Sequence, residues 1–431
     1  MRIVHVIPGT GGGFYCENCA REAEILPALR ERGAEVLSAP MYLPLALDGT
    51  AERGRALFFG AVNVYLQEKL PLFRATPRWM DRVLDSPRLL RWAAGRAHST
   101  SAAGLEAMTL SMLRGEKGRQ AKELDRLVRW LRDDARPDVV HLGNALLLGL
   151  APRVRRDAHA RVVCTLQDED GWIDAMAEPG RGQIWEALRT LATEVDLFAA
   201  VSRFYADRMR ARLGLEAGRV RVVPPGIDPR GFSPSASAPD PPAVGYLSRL
   251  TPGLGLDLLA GAFARLRKDP RLSRLRLLAA GGWTPADSAF LGSVRERLEA
   301  EGAAGDFVTL PSPDRAGRAG FLRSLTALSV PAPAGSAFGM FLLEAMACGI
   351  PVVQPRSGAF PELIAASRAG VLCEPGDAAS LADALERVLL DPALARELGR
   401  RGREAVEGPF HVRRMAGDMI RVYEEALAAP R

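Results

Sequence analysis

The architecture of the chain is clearest at residues 327–354, which read ALSVPAPAGSAFGMFLLEAMACGIPVVQ. The pattern predicts a buried strand at Ala327–Val330, a loop rich in glycine and proline, an apolar helix at Phe338–Ala347 and a second buried strand at Pro351–Gln354. Two strands joined through a helix form a parallel βαβ unit. The stretch therefore indicates a parallel sheet whose two faces are covered by helices.

The same alternation of short apolar runs and longer helical patterns extends in both directions from this stretch. Earlier strands of the same series are predicted at Ala243–Leu247, Leu275–Ala280 and Phe307–Leu310. A separate series is predicted nearer the N-terminus, with strands at Ile3–Ile7, Val139–Leu142, Val162–Leu166, Leu197–Val201 and Val220–Val223. Helices are predicted at Ser101–Arg132, at Arg203–Leu213 after the capping residue Ser202, and at Ala378–Leu389 after the capping residue Asp377.

A proline- and serine-rich segment, SPSASAPDPP at residues 233–242, separates the two series and is typical of a linker. The sequence thus predicts an α/β protein with two doubly wound, Rossmann-like domains that face each other across a cleft. We place the N-terminal domain at 1–232 and the C-terminal domain at 243–408. The helix within 409–431 is expected to pack back on the N-terminal domain.

Composition excludes several classes of protein. With 48% apolar and 25% charged residues, the bulk of the chain is neither disordered nor collagen-like. The net charge of +6 over 431 residues is mild, and because no recognised motif accompanies it, nucleic-acid binding is not expected. Five scattered cysteines favour a reducing cytoplasm. The N-terminal apolar run is too short for a signal-peptide core, and no run is long enough for a transmembrane helix.

Two glycine-containing turns are candidates for anion binding. The turn at residues 9–13, with Gly11, Gly12 and Gly13, follows the first strand, where backbone N–H groups and a helix dipole favour an anion. A tight turn with close backbone packing is an equal alternative. The second turn opens the helix at Gly339, where the amides near Phe338 and Met340 suit a diphosphate.

Glu344 lies about one turn into this second, otherwise apolar helix. Its carboxylate could bind two sugar hydroxyls, or it could simply balance the helix dipole.

The phrase EAMACGIPVV at Glu344–Val353 resembles the signature of glycosyltransferase family 4, whose members have the GT-B fold. Other phrases match the family in the expected order: AVS at Ala200–Ser202, VVPPGID at Val222–Asp228, SRL at Ser248–Leu250, G-x-x-PELI at Gly358–Ile364 and EPGD at Glu374–Asp377. A particular branch is indicated by YC-x-x-C at Tyr15–Cys19, by Phe59–Pro77, by SMLRGEKG at Ser111–Gly118 and by CTLQDED at Cys164–Asp170.

The resemblance implies a retaining hexosyltransferase that uses a nucleotide diphosphate sugar and requires no metal. The acceptor would be a glycan, a lipid-linked molecule or a small molecule. By the same resemblance Arg249 would hold the diphosphate, Glu344 the ribose, and the loop Gly11–Gly13 would lie near the phosphates.

Two positions depart from the family pattern. Leu254 stands where the family has a second phosphate-binding lysine, and Ser336 stands where it has a sugar-binding glutamate. Loss of one fixed donor to a developing charge commonly costs about 10²–10³ in rate. A weakened homologue that acts as a binding or partner subunit is therefore the alternative function. A nucleotide-sugar epimerase or hydrolase is a third hypothesis.

Acceptor contacts are expected from His141, Gln167, Glu169 and Asp170, which follow or end predicted strands. Gln167 stands where the family often has a histidine. Cys16 and Cys19 lack the second ligand pair that zinc requires, so no metal site is expected.

The arginine-rich stretch 74–96 could contact an anionic membrane, which would make the protein peripheral to the inner face, or it could pack on its own domain. The sequence leaves the oligomeric state open.

Overall fold

A computed structural model describes residues 1–8, 14–41, 104–235 and 237–430. These residues divide into two units by their internal contacts. The first unit comprises 1–8, 25–41, 104–224 and 416–430, and the second comprises 14–24, 225–235 and 237–415.

The first unit contains a six-stranded, all-parallel sheet. Its strands are β1 (Arg2–Ile7), β2 (Glu35–Pro40), β3 (Val139–Leu142), β4 (Arg161–Leu166), β5 (Leu197–Ala200) and β6 (Val220–Val222), in the order β2-β1-β3-β4-β5-β6. The described helices are α1 (Glu17–Glu31), which the unit boundary divides, α2 (Glu106–Leu113), α3 (Ala121–Trp130), α4 (Ala151–Ala158), α5 (Glu169–Asp174), α6 (Gly180–Leu191) and α7 (Arg203–Leu213). β3 and β4 are buried along their whole length, as expected for central parallel strands.

The second unit contains another six-stranded parallel sheet. Its strands are β7 (Ala243–Leu247), β8 (Arg276–Ala280), β9 (Phe307–Leu310), β10 (Ala327–Leu328), β11 (Val352–Pro355) and β12 (Gly370–Cys373), in the order β12-β11-β10-β7-β8-β9. Its helices are α8 (Leu256–Leu266), α9 (Ser288–Ala300), α10 (Arg315–Arg323), α11 (Met340–Ala347), α12 (Phe360–Ser367), α13 (Ala378–Leu390) and α14 (Pro392–Glu407). A last helix, α15 (Val412–Ala428), is divided by the unit boundary.

The strand orders locate the point in each sheet where a ligand is expected. In open parallel sheets ligands bind beyond the carboxyl ends of the strands, where the strand order reverses direction. In the second unit this point lies between β7 and β10, and in the first unit it lies between β1 and β3.

The predicted fold class, an α/β protein with two Rossmann-like sheets, is confirmed. Both predicted helix caps are also confirmed. The Ser202 hydroxyl accepts a hydrogen bond from Tyr205 N at 3.1 Å, and the Asp377 carboxylate accepts from Ala379 N and Ser380 N. These caps satisfy amides that have no partner inside their own helix.

Other predictions were wrong in detail. The single helix expected at Ser101–Arg132 is interrupted after α2 by a turn at Gly115–Lys117, where Gly115 has a φ of 55° that ends a regular helix. The helix expected to start at Phe338 starts at Met340, because Gly339 has a φ of 110°. The strands β2 and β12 were missed, as was α12.

Within the described ranges, no helix has both the length and the apolar character that crossing a bilayer requires.

Candidate functional site

The strongest candidate site lies in the second unit, in the two loops that follow β7 and β10. β7 ends at Leu247, two residues before Arg249, and β10 ends at Leu328, shortly before the loop that leads to α11. Because β7 and β10 pair in parallel, their following loops leave the same edge of the sheet. This edge is the point of strand-order reversal described above, where ligands are expected in such sheets.

Arg249 is held in place by a carboxylate and a hydroxyl. Its Nη2 donates to Asp287 Oδ2 at 2.8 Å and to Thr284 Oγ1 at 3.3 Å. Burial would raise the pKa of Asp287, but hydrogen bonds from Thr251, Arg249 and Thr284 lower it to about 2. Asp287 is therefore a fixed negative charge that orients the guanidinium at neutral pH.

The loop before α11 presents backbone groups at the start of that helix. Gly339 is the residue before the first turn, and its φ of 110° is one that L side chains rarely adopt. Ser336 is half-buried, and its hydroxyl accepts a weak hydrogen bond from Phe338 N at 3.4 Å. The Phe338 side chain is buried and meets Phe410 edge-on at a ring separation of 6.0 Å, so only its backbone is placed to meet a ligand.

Glu344 is buried in α11 and both of its carboxylate oxygens have partners. Arg318 Nε of α10 donates to Oε1 at 2.9 Å, and the Tyr15 hydroxyl donates to Oε2 at 3.3 Å. Burial raises the pKa of Glu344, and the positive charge of Arg318 opposes that rise. The ion pair is itself nearly inaccessible, with side-chain exposures of 10% for Arg318 and 2% for Glu344.

The three groups expected to bind the donor meet one short segment of the chain. The Arg249 guanidinium carbon lies 5.0 Å from the centre of the Phe14 ring, Tyr15 bonds Glu344, and Glu17 Oε2 accepts a hydrogen bond from Met340 N at 2.6 Å. Four consecutive residues extend over at most about 14 Å. The structure therefore brings Arg249, Met340 and Glu344 into one site.

Leu254 is half-buried in the loop between β7 and α8. Its carbonyl lies 3.5 Å from the Tyr246 hydroxyl, which also donates to Arg249 O at 3.1 Å. A leucine side chain at this position offers no charge to a phosphate.

In the first unit, His141 is fully buried near the end of β3. Its Nδ1 lies 2.8 Å from the Tyr423 hydroxyl, and its Nε2 lies 2.8 Å from Thr165 Oγ1. Both ring nitrogens thus have partners inside the protein, and the acceptor role expected for His141 stays a prediction.

The other expected acceptor residues form a buried network after β4. Gln167 Nε2 donates to Gly143 O at 2.6 Å. The Glu169 carboxylate accepts hydrogen bonds from Ala145 N at 2.9 Å, from Gln167 N at 2.7 Å and from the Tyr205 hydroxyl at 2.7 Å. Burial raises the pKa of Glu169 to about 7, although these donors act against the rise.

Asp170 joins the same network. It contacts the Tyr205 hydroxyl at 2.9 Å and forms an ion pair with Arg208 at 2.5 Å. The carboxylates of Glu169 and Asp170 thus both have partners inside the protein.

Some predicted features lie outside the described residues. They are the loop residues Gly11, Gly12 and Gly13, the phrase at 59–77 and the arginine-rich stretch 74–96. Cys16 and Cys19 are described, with their sulfur atoms 2.6 Å apart. Among the residues the structure describes, no three His, Cys, Asp or Glu side chains are grouped so as to hold a metal ion.

Sequence reasoning missed the partners that orient the site, namely Arg318, Asp287, Phe14, Tyr15 and Glu17. The motif YC-x-x-C drew attention to its cysteines, whereas Tyr15 and Glu17 make the contacts with α11. Glu17 could have been noticed in the sequence, because it is an acidic residue in the first turn of α1, and its carboxylate can accept a hydrogen bond from a free backbone amide. No such indication was available for Arg318, whose contact depends on how α10 packs.

Two family models match adjoining parts of the chain. The model for glycosyl transferases group 1 matches residues 230–405, and the model for glycosyltransferase family 4 matches residues 104–230. Together they extend from α2 to α14 and meet near the boundary between the two units.

Two curated proteins illustrate the relationship. The D-inositol 3-phosphate glycosyltransferase of Acidothermus cellulolyticus is 33% identical over 276 residues, covering 60% of this chain and 60% of that protein. The GDP-mannose-dependent alpha-(1-6)-phosphatidylinositol monomannoside mannosyltransferase of Mycolicibacterium smegmatis is 30% identical over 291 residues, covering 62% of this chain and 71% of that protein. The match therefore spans less than two thirds of the first protein and more than two thirds of the second.

Solved structures with the same fold cover nearly the whole chain. Sucrose-phosphate synthase from Thermosynechococcus elongatus has a TM-score of 0.70 at 20% identity, covering 100% of both chains. Anabaena HepE in complex with UDP and glucose has a TM-score of 0.68 at 16% identity, covering 98% of this chain and 99% of that one. The chain thus has the GT-B fold, with two Rossmann-like parallel sheets. The chain belongs to glycosyltransferase family 4.

Proposed function

We propose that the protein transfers a hexosyl group, with retention of configuration, from a nucleotide diphosphate sugar to a hydroxyl group of an acceptor. One observation carries the proposal. Arg249, the Met340 amide and Glu344 converge at the point of strand reversal in the second unit, where their chemistry suits a diphosphate and a ribose. The relatives support it, since one is GDP-mannose-dependent and HepE was solved with UDP and glucose.

Each donor-binding residue has a defined task in this proposal. Arg249, oriented by Asp287, neutralises charge that develops on the departing diphosphate. The amides at the start of α11 add hydrogen bonds and the positive end of the helix dipole. Glu344 binds the ribose hydroxyls, and Ser336 offers the donor sugar one weak hydrogen bond. We propose that no metal is needed, because the arginine and amides supply the positive potential.

The acceptor would bind in the first unit, beyond the ends of β3 and β4. Gln167, Glu169 and Asp170 lie there, and Glu169 has a pKa of about 7, which suits a group that exchanges a proton with a hydroxyl near neutrality. The named acceptors of the two relatives are an inositol phosphate and a phosphatidylinositol mannoside. We therefore favour a phosphorylated or lipid-linked polyol over an unmodified glycan.

We place the reaction in the cytoplasm, because the five cysteines are free thiols. Contact with the inner membrane face would depend on the stretch 74–96. The partner-subunit alternative gains no support from the relatives, which are named as transferases.

Calorimetric titration with UDP, GDP and ADP, followed by turnover of the matching nucleotide sugars, tests the proposal. Arg249→Ala is expected to lower turnover by about 10²–10³, since it removes one fixed donor to the diphosphate. Glu344→Ala is expected to weaken binding of the nucleotide.

The matched control is Arg271→Ala, which removes an arginine that is 64% exposed and paired with Asp269 on the surface. It should leave turnover unchanged. Full activity in Arg249→Ala would remove the phosphate role, and failure of every nucleotide to bind would remove the proposed function.

A further inference from the structure

The segment Phe14–Glu17 occupies positions that the proposed function assigns to the donor. It contacts Arg249 through Phe14, Glu344 through Tyr15 and the Met340 amide through Glu17. A fourth contact fixes the segment at the end of β8, where Tyr15 N donates to Gly281 O at 2.7 Å. These contacts join the segment to loops or helices that follow β7, β8 and β10.

The contact made by Glu17 bears directly on phosphate binding. Its carboxylate accepts the Met340 N–H at 2.6 Å, and this amide belongs to the helix start that would otherwise bind a phosphate oxygen. A single N–H donates one strong hydrogen bond. In addition, a diphosphate brought beside this carboxylate would be repelled by its negative charge.

Tyr15 and Phe14 contact Glu344 and Arg249, the other two groups that we expect to bind the donor. Glu344 already accepts hydrogen bonds on both oxygens, from Arg318 and from Tyr15. A ribose hydroxyl would compete most readily with Tyr15, because that bond is the longer of the two at 3.3 Å. Phe14 covers one side of the Arg249 guanidinium.

We propose that the segment Phe14–Glu17 competes with the donor for the same site. A nucleoside diphosphate can bind only when the segment gives up its contacts with α11 and Arg249. This inference rests on the proposed function, since it presumes that the donor binds at Arg249, Met340 and Glu344. The measured donor affinity is then the intrinsic affinity reduced by the fraction of molecules in which the segment is displaced.

The opposite hypothesis is that Glu17 itself binds the sugar donor. Its carboxylate would then replace the one that Ser336 lacks. The two hypotheses differ in sign. Competition predicts that removing the charge of Glu17 strengthens diphosphate binding, whereas a ligand role predicts that the same change weakens binding of the sugar donor.

The test is calorimetric titration of the full chain under reducing conditions, so that Cys16 and Cys19 stay as thiols. The probes are UDP, GDP and ADP, and their nucleosides serve as counterparts without phosphate. Glu17→Gln is expected to bind the preferred diphosphate roughly tenfold more tightly and the nucleoside by a clearly smaller factor, because a loosened segment favours both ligands but only the phosphates are relieved of repulsion by the carboxylate.

Glu31→Gln is the matched control. It changes the net charge equally and lies in the same helix, 14 residues and about 21 Å further along. Its diphosphate affinity should equal that of the wild type.

Tyr15→Phe gives an independent second measurement if Glu17→Gln fails to fold. It is expected to tighten both nucleoside and diphosphate binding several-fold, because it frees an oxygen of Glu344 that a ribose would use.

The outcomes separate the two proposals. If the wild type binds a nucleoside diphosphate and Glu17→Gln binds it with equal or lower affinity, the competition is overturned and the proposed function stands. No nucleotide binding by the wild type, Glu17→Gln or Tyr15→Phe overturns both.

Discussion

Two buried glutamates, Glu344 in the second unit and Glu169 in the first, show two ways to keep a carboxyl group inside a parallel α/β fold. Each is at most 2% exposed and each accepts a hydrogen bond from a tyrosine hydroxyl. Glu344 also accepts a hydrogen bond from the guanidinium of Arg318, whereas Glu169 accepts hydrogen bonds from two backbone amides and from Tyr205.

The difference lies in the charge of the partner. A cation at hydrogen-bond distance favours the ionised carboxylate, so Arg318 works against the rise in the pKa of Glu344 that burial causes. Neutral donors compensate burial less well, and the pKa of Glu169 rises to about 7. Glu344 is therefore suited to bind hydroxyls as a fixed acceptor, and Glu169 is suited to gain or lose a proton near neutral pH.

The largest expected effect comes from removing the cation that distinguishes the two sites. Arg318→Met leaves Glu344 buried without its ion-pair partner, which typically costs about 3–5 kcal/mol of stability. The variant should further raise the pKa of Glu344. The folded variant then keeps Glu344 protonated to a higher pH than the wild type does. Its loss in free energy of unfolding, relative to the wild type, should therefore be small below about pH 4 and should grow as the pH rises. Urea unfolding at pH 5 and pH 8 measures this.

The control for Arg318→Met is the double variant Arg318→Met/Glu344→Met. Replacing both partners by apolar side chains is often nearly neutral for stability, so the double variant should recover much of the loss. An equal loss in the single and double variants would show that Arg318 stabilises through its packing over Tyr15 and not through the carboxylate.

The sequence predicted the fold much better than it predicted these environments. Strands such as Val139–Leu142 and Phe307–Leu310 were predicted with their observed bounds, because they are short apolar runs between helical patterns. β12 was missed because its apolar run, GVLC, is only four residues long and begins with glycine, which weakens a strand pattern. The caps at Ser202 and Asp377 were predictable because they depend on neighbours two or three residues away.

The site was predictable only where local sequence determines it. The loop before α11 and the positions of Arg249 and Glu344 followed from motif spacing, and their roles stay predictions. The pairing of Glu344 with Arg318 spans 26 residues and joins two helices, and the contact of Tyr15 with Glu344 spans 329 residues. Such contacts depend on tertiary packing, so no local pattern indicates which carboxylate receives a cation.

The second prediction concerns the pH dependence that Glu169 should impose. Its pKa is about 7 in the folded protein against 4.5 for an exposed glutamate, which corresponds to about 3 kcal/mol. The folded state binds more protons between these values, so the free energy of unfolding should fall as the pH rises from about 4.5 to 7 and then level off.

Glu169→Gln should remove this component, because the amide does not titrate. Unfolding curves of both proteins from pH 4.5 to 8 isolate it, since the other carboxyl groups are common to both. Parallel curves would mean that Glu169 stays ionised throughout and that the contrast with Glu344 does not exist.

The smallest expected effects on stability come from removing the hydroxyl groups of the two tyrosines that contact these glutamates. Tyr205 contacts Glu169 at 2.7 Å and Asp170 at 2.9 Å, whereas Tyr15 contacts Glu344 at 3.3 Å. A hydrogen bond to a charged group contributes about 1.5–3 kcal/mol, and a bond as long as that of Tyr15 contributes less than a short one. Tyr205→Phe should therefore destabilise the protein by about 2 kcal/mol and Tyr15→Phe by about 1 kcal/mol or less, as measured by urea unfolding at pH 8. A larger loss in Tyr15→Phe would mean that Tyr15 is an integral support of Glu344, and a nucleotide would then not readily displace it.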